Sequence, residues 1–188
     1  MVKFLVQNGA DIFAKNKEGK SWLVCEMAER CGSDSKRSEW FNELVATNHT
    51  NLDSRDASGR SLLSHAAEMH HHEIAAALVV SGRVDVDSRD RIGRSPLSYA
   101  AEHDDDNIVD AVVKTLLDTK KVDVDSRDKF GRSPLSYAAD SGHCFSAKLL
   151  LEAGVVDPDS IDINGRSPLS YAAAKGCIYT VKRLLSSN

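Results

Sequence analysis

Apolar positions along this chain come in short clusters that return in pairs. Leu97, Ala100 and Ala101 stand at helical spacing and form one apolar face. Alanines at that face are small enough to let neighbouring helices approach closely. Ser95 precedes the cluster at an N-cap position and Pro96 occupies the first helical position, where its missing N–H is not needed. In the next copy the first helix meets a polar break, Ser141-Gly142-His143, and a second apolar helix is predicted over Ser146–Glu152. Gly154 stops it as a left-handed cap. Two antiparallel helices result. Between pairs, Asp-x-x-Gly, as in Asp90-Arg91-Ile92-Gly93, is turn chemistry, and an extended stretch such as Val155–Asp162 leads into it. A hairpin-like finger therefore separates successive pairs.

The unit repeats. Gly-Arg-Ser-Pro-Leu-Ser-Tyr-Ala-Ala stands unchanged at Gly93–Ala101, Gly131–Ala139 and Gly165–Ala173, with a looser copy at Gly59–Ala67. Gly19, Gly59, Gly93, Gly131 and Gly165 are separated by 40, 34, 38 and 34 residues, a base period of 34 with two longer units. The loop Cys31–Arg37 and the stretch Asn107–Leu117 carry the added residues, the latter about one helical turn. This period specifies a solenoid of small helical units.

Asp-x-x-Gly-x-Ser-Pro-Leu, then Ala-Ala, Gly-His and Leu-Leu-x-x-Gly resembles the ankyrin repeat, as does Gly9-Ala10-Asp11 followed by Gly19-Lys20-Ser21. The resemblance implies an all-α solenoid of stacked helix-turn-helix pairs with β-hairpin-like fingers. It is one domain over 1–188: a remnant helix at 1–9, then repeats of about 10–50, 51–84, 85–122, 123–156 and 157–188. Ten helices in five pairs are expected, with Leu97, Leu135 and Leu169 buried at equivalent places. Ser-Pro-Leu-Ser replaces the family's Thr-Pro-Leu-His, so other hydrogen bonds must form around Ser98, Ser136 and Ser170. Repeat 1 departs further, with Trp22 at the proline position and Cys25–Gly32 in place of the alanine pair. The near-identity of the units also resembles the arrays of large fungal multidomain proteins, including receptor-like ones with a nucleotide-binding module.

Composition narrows the function classes. With 188 residues, 41% hydrophobic and 6% aromatic, the chain can build one elongated core from Ala, Leu, Val and Ile. No apolar run approaches a membrane span and no secretory leader is seen, so an intracellular, cytoplasmic setting is expected. The sequon Asn48-His49-Thr50 would matter only in a secreted chain. Apolar residues at both ends, Val2, Phe4, Leu5 and Val6 against Leu184 and Leu185, lead us to expect a fragment of a larger chain. Cys25, Cys31, Cys144 and Cys177 lack zinc spacing and read as reduced thiols.

Candidate chemistry is sparse. Ala14-x-x-x-x-Gly19-Lys20-Ser21 fits a permissive phosphate-loop pattern, yet it occupies the repeat position of Gly59-Arg60-Ser61 and follows no buried strand. Nucleotide binding is not assigned. Serines 64, 98, 136 and 170 recur at one repeat position, as structural residues do, and His65 beside Ser64 cannot face it from a helix. No catalytic residue and no cofactor is assigned. An enzyme built on this scaffold, for example a biosynthetic one, is the alternative, and would show unique polar residues absent from the matching repeat positions. His70-His71-His72 aligns with Asp104-Asp105-Asp106 and Gly142-His143, a set that could catch a divalent metal. Since His71 and His143 fill the family's ordinary Gly-His position, no metal is assigned.

The resemblance implies a protein-binding surface on turn tips and inner helices. Its variable positions are Lys17, Glu18, Ala57, Ser58, Arg91, Ile92, Lys129, Phe130, Ile163 and Asn164, above a basic row of Lys20, Arg60, Arg94, Arg132 and Arg166. Set against a net charge of −4, this row suits an acidic protein or peptide partner. The competing reading pairs the arginines with Asp56, Asp90, Asp128 and Asp162. A pI near 6.0 and few aromatics argue against nucleic acid.

Overall fold

The structure, a computed structural model, describes residues 41, 42, 44–46, 51–102, 111–154 and 156–186. Four helix pairs follow one another: α1 Leu62–Glu68 with α2 His72–Ser81, α3 Pro96–Glu102 with α4 Ala111–Asp118, α5 Pro134–Ser141 with α6 Cys144–Glu152, and α7 Pro168–Lys175 with α8 Ile178–Ser186. First helices pack on first helices, α1 on α3, α3 on α5 and α5 on α7, while α2, α4, α6 and α8 form a second row. The result is a two-layered stack.

Local chemistry starts the first helices as expected. Ser61, Ser133 and Ser167 are N-caps whose side chains accept from the backbone N–H of Ser64, Ser136 and Ser170. Ser95 does the same for Ser98 at 3.2 Å. The lost Thr–His bonding is replaced by serine pairs, Ser61 with Ser64, Ser95 with Ser98 and Ser133 with Ser136, at 3.1 to 3.2 Å. Capping serines also bridge units, Ser61 to Ser88 at 2.8 Å and Ser95 to Ser126 at 3.1 Å. Gly142 closes α5 in the left-handed conformation, φ 85°. The second helix of that pair begins two residues earlier than the pattern predicts, at Cys144, and Gly154 follows it with φ 75°.

The core is one stripe through the stack. Ala66, Ala100 and Ala138 have no exposed surface, and Leu63, Leu78, Leu97, Leu116, Leu135 and Leu150 are equally buried. Leu169 departs from this expectation: it is only half-buried, packed against the edge of the core, because among the described residues no further helix pair covers α7. Ala173 and Ala174 are exposed for the same reason.

The fingers are tighter than strand pairs. Each turn carries one hairpin-type backbone bond, from Asp56, Asp90, Asp128 or Asp162 N–H to the carbonyl of Arg60, Arg94, Arg132 or Arg166. Among the described residues the only bridge is Arg55 with Ser61. Successive turns are joined at their tips, Arg91 N–H to Ser58 O at 2.9 Å, Lys129 to Ile92 at 2.8 Å and Ile163 to Phe130 at 2.9 Å. That closeness requires glycine at 131, where φ is 77° and a Cβ would lie 3.2 Å from Asp162 Cα.

Phe41 and Leu44 are buried in a helical segment, but the rest of repeat 1 and the remnant helix lie outside the described residues. So do residues 107–110 of the stretch Asn107–Leu117, whose remainder lies in the eight-residue helix Ala111–Asp118.

Candidate functional site

The invariant Gly-Arg-Ser-Pro-Leu-Ser-Tyr places an arginine just after each turn and a tyrosine on the helix it leads into. Each tyrosine reaches back to its own turn. Tyr99 donates to Asp90 Oδ2 at 2.8 Å, Tyr137 to Asp128 at 2.6 Å and Tyr171 to Asp162 at 2.6 Å. The other carboxylate oxygen accepts two backbone N–H groups, at Asp128 those of Phe130 and Arg132. The aspartate thereby holds turn and helix together. Burial, then the bond to aspartate, pushes the Tyr99 and Tyr137 hydroxyls far above an ordinary phenol. In the looser copy His65 replaces tyrosine, its Nε2 3.1 Å from Asp56 Oδ2.

Arginines fill the spaces between these rings. The Arg94 guanidinium lies 3.9 Å from the Tyr99 centroid and 4.1 Å from that of Tyr137; Arg132 lies 4.1 Å from Tyr137 and 4.9 Å from Tyr171. Each also pairs with the acid eight residues on: Arg60 with Glu68 at 2.8 Å, Arg94 with Glu102, and Arg132 with Asp140 at 2.9 Å. The pairing expected with the turn aspartates occurs at Arg60, whose Nε is 3.0 Å from Asp56 Oδ2. At Asp90 and Asp128 the tyrosine takes that oxygen instead. With side-chain exposures of 18%, 12% and 20%, Arg60, Arg94 and Arg132 are largely committed inside the stack. Arg166 differs. It is exposed, 5.5 Å from the Tyr171 centroid, and the position eight residues on is Ala174.

The turn tips stand outward. Arg91, Lys129 and Asn164 are exposed, and the apolar Ile92, Phe130 and Ile163 remain 39%, 46% and 69% exposed. Of the predicted site residues, the structure therefore gathers the tips into one accessible row and sets Arg60, Arg94 and Arg132 beneath it. Lys17, Glu18 and Lys20 lie outside the described residues, as does the whole phosphate-loop-like stretch.

Sequence reasoning missed two connections. Arg55, Arg89 and Arg127 reach the following unit at Asp85, Asp123 and Asp157, with gaps of 3.7, 3.4 and 3.1 Å. The recurring Asp-Ser-Arg-Asp at Asp53–Asp56, Asp87–Asp90 and Asp125–Asp128 carries that signal, and at the fourth copy Ile161 stands for arginine. The acids eight residues beyond Arg60, Arg94 and Arg132 were the other legible clue.

Other candidates gain nothing from the geometry. Ser64, Ser98 and Ser136 are buried in capping bonds. His72 opens α2, while Asp104–Asp106 lie outside the described residues; among those described, no three metal-binding side chains converge. A largely apolar groove of about 530 Å³, lined by Leu117, Val122, Val124 and Leu149 with Lys114 and Lys120, contains none of the predicted site residues. No described helix is long and apolar enough to cross a membrane.

Two comparisons bear on this architecture. A family model described as ankyrin repeats (3 copies) matches residues 28–115 and 109–188. A search of curated proteins returns no match.

Proposed function

The chain belongs to the ankyrin-repeat family, and from that premise we propose that it is a non-catalytic protein-interaction module that binds an acidic, partly apolar segment across its finger tips and inner helices. The observation that carries this reading is the accessible row in which Ile92, Phe130 and Ile163 stand among Arg91, Lys129 and Arg166. Tip-to-tip backbone bonds hold these positions, so little freedom is lost when a partner seats. Apolar anchors supply short-range affinity; surrounding cations steer and orient carboxylates. Arg60, Arg94 and Arg132 serve mainly as the rigid support below. An intracellular setting belongs to the same proposal.

The test is peptide selection from a displayed random library, followed by calorimetry on the peptides retained. Phe130→Ala combined with Lys129→Glu should weaken binding at least tenfold and flatten its salt dependence. Full affinity in that variant, with binding lost instead on changes at His70–His72, would place the interface at the opposite end of the repeats and reject this reading.

A further inference from the structure

Two thiols from consecutive units converge on one carbonyl at the end of the stack away from the fingers. Cys144 opens α6, and its Sγ lies 3.6 Å from Gly142 O. Cys177 precedes α8, and its Sγ donates to that same oxygen from 3.3 Å. Sharing one acceptor makes the two thiols neighbours. Gly142 makes the approach feasible: a Cβ there would stand 3.3 Å from Cys177 Sγ. Cysteine occupies each place only once in the described repeats, for His71 and His143 match Cys177, and His72 and Ile178 match Cys144. The offset of one residue between the two cysteines brings them together across the layers. Neither thiol is sealed from solvent.

We propose that Cys144 and Cys177 form a dithiol modification site, oxidised by a low-molecular-weight disulfide to a bond that clips the last helix pair to the one before it. A thiolate on one cysteine attacks a sulfur of the small disulfide, forming a mixed disulfide and releasing one small thiolate. The second cysteine, deprotonated, attacks the protein-side sulfur, closes the Cys144–Cys177 bond and releases the other. In sum, two protein thiols and one small disulfide give one protein disulfide and two small thiols. Burial, then the neighbouring Cys144, raises the Cys177 thiol above its ordinary range, so closure accelerates as the solution becomes more alkaline.

The clip has something to hold. In the last pair Leu169 is half-buried and Ala173 exposed, whereas Leu135 and Ala139 at the same repeat positions are buried, so α7 and α8 form the thinly covered end of the described stack. Local opening starts at such ends. A covalent tie between the first residue of α6 and the loop before α8 restricts that opening.

The experiment treats the full chain with oxidised glutathione at mildly alkaline pH, then maps peptides without reduction and measures amide exchange. The expected result is a Cys144 peptide linked to a Cys177 peptide, reversible with dithiothreitol, and at least tenfold slower exchange over residues 168–186 in the oxidised form. Cys177→Ser and Cys144→Ser should each abolish both effects. A Cys25→Ser, Cys31→Ser double variant should retain them, excluding a linkage through the other two cysteines. Glutathione adducts on single cysteines without the link would overturn the site. A link that leaves exchange unchanged would overturn the clip.

Discussion

The guanidinium of Arg132 lies across the ring of Tyr137, 4.1 Å from its centroid, while the hydroxyl of that ring donates to Asp128 Oδ2 at 2.6 Å. One tyrosine thus ties the turn before its helix to the arginine leading into it. Tyr137→Phe should keep the stack and lose the hydrogen bond to a carboxylate that is only 7% exposed. We expect a loss of about 1–3 kcal/mol. Urea denaturation of the two proteins measures it, and coincident midpoints would show that the hydroxyl bond contributes nothing.

Arginines of the row and cations of the tips should respond differently to charge reversal. Arg132→Glu removes the pair with Asp140, breaks two ring contacts and puts like charges together in a half-buried place, which should cost on the order of 3 kcal/mol. Lys129→Glu at the exposed tip should change stability by less than about 0.5 kcal/mol. Comparable losses in the two variants would contradict the division between support and contact surface.

Arg166 offers the complementary gain. Ala174→Glu supplies the acid that Glu68, Glu102 and Asp140 provide in the other units. Because the site is exposed, the gain should be about 0.2–1 kcal/mol and should shrink in high salt. Thermal unfolding at low and high ionic strength reads both effects.

Burial ranks the equivalent leucines. Leu135→Ala should cost about 2–5 kcal/mol by leaving a cavity in a fully enclosed place. Leu169→Ala, at the half-covered edge, should cost at least about 1 kcal/mol less. Equal denaturation midpoints for the two variants would refute the ranking.

Acid should weaken the fold through its turn aspartates. Burial by itself raises Asp56 and Asp162, but hydrogen bonds outweigh it and hold both carboxyls below their ordinary value: at Asp56 the Arg60 backbone and side chain, at Asp162 the Tyr171 hydroxyl and the N–H groups of Arg166 and Asn164. Below an unfolded value of about 3.9 the unfolded chain then binds more protons than the folded one, so stability is fully present at about pH 5 and above and falls as the pH drops through the folded values. Asp125, raised by burial, contributes with the opposite sign. Asp162→Asn should flatten the acid limb of a stability profile measured by urea denaturation; an unchanged slope would exclude Asp162 as a source.

Repetition by itself determined the solenoid. Ser-Pro starts, Gly stops and Ala pairs act over a few neighbouring residues, so helix pairs and turns could be read from Ser95-Pro96-Leu97 or Gly142 without knowing what packs on them. The exposed tips were legible too, because Arg91, Ile92, Lys129 and Phe130 vary inside a fixed frame. Which arginines remain available was decided only by the stack, since Arg94 meets Tyr137 across a whole repeat and both rings must be placed before the guanidinium is seen to be enclosed. The same holds for Leu169, identical in its motif to Leu135 yet half-covered, and for Cys144 and Cys177, whose shared acceptor arises from layer offset. Local propensity is written in adjacent residues, whereas burial depends on what the neighbouring unit brings, and identical units therefore differ once one of them stands at an edge.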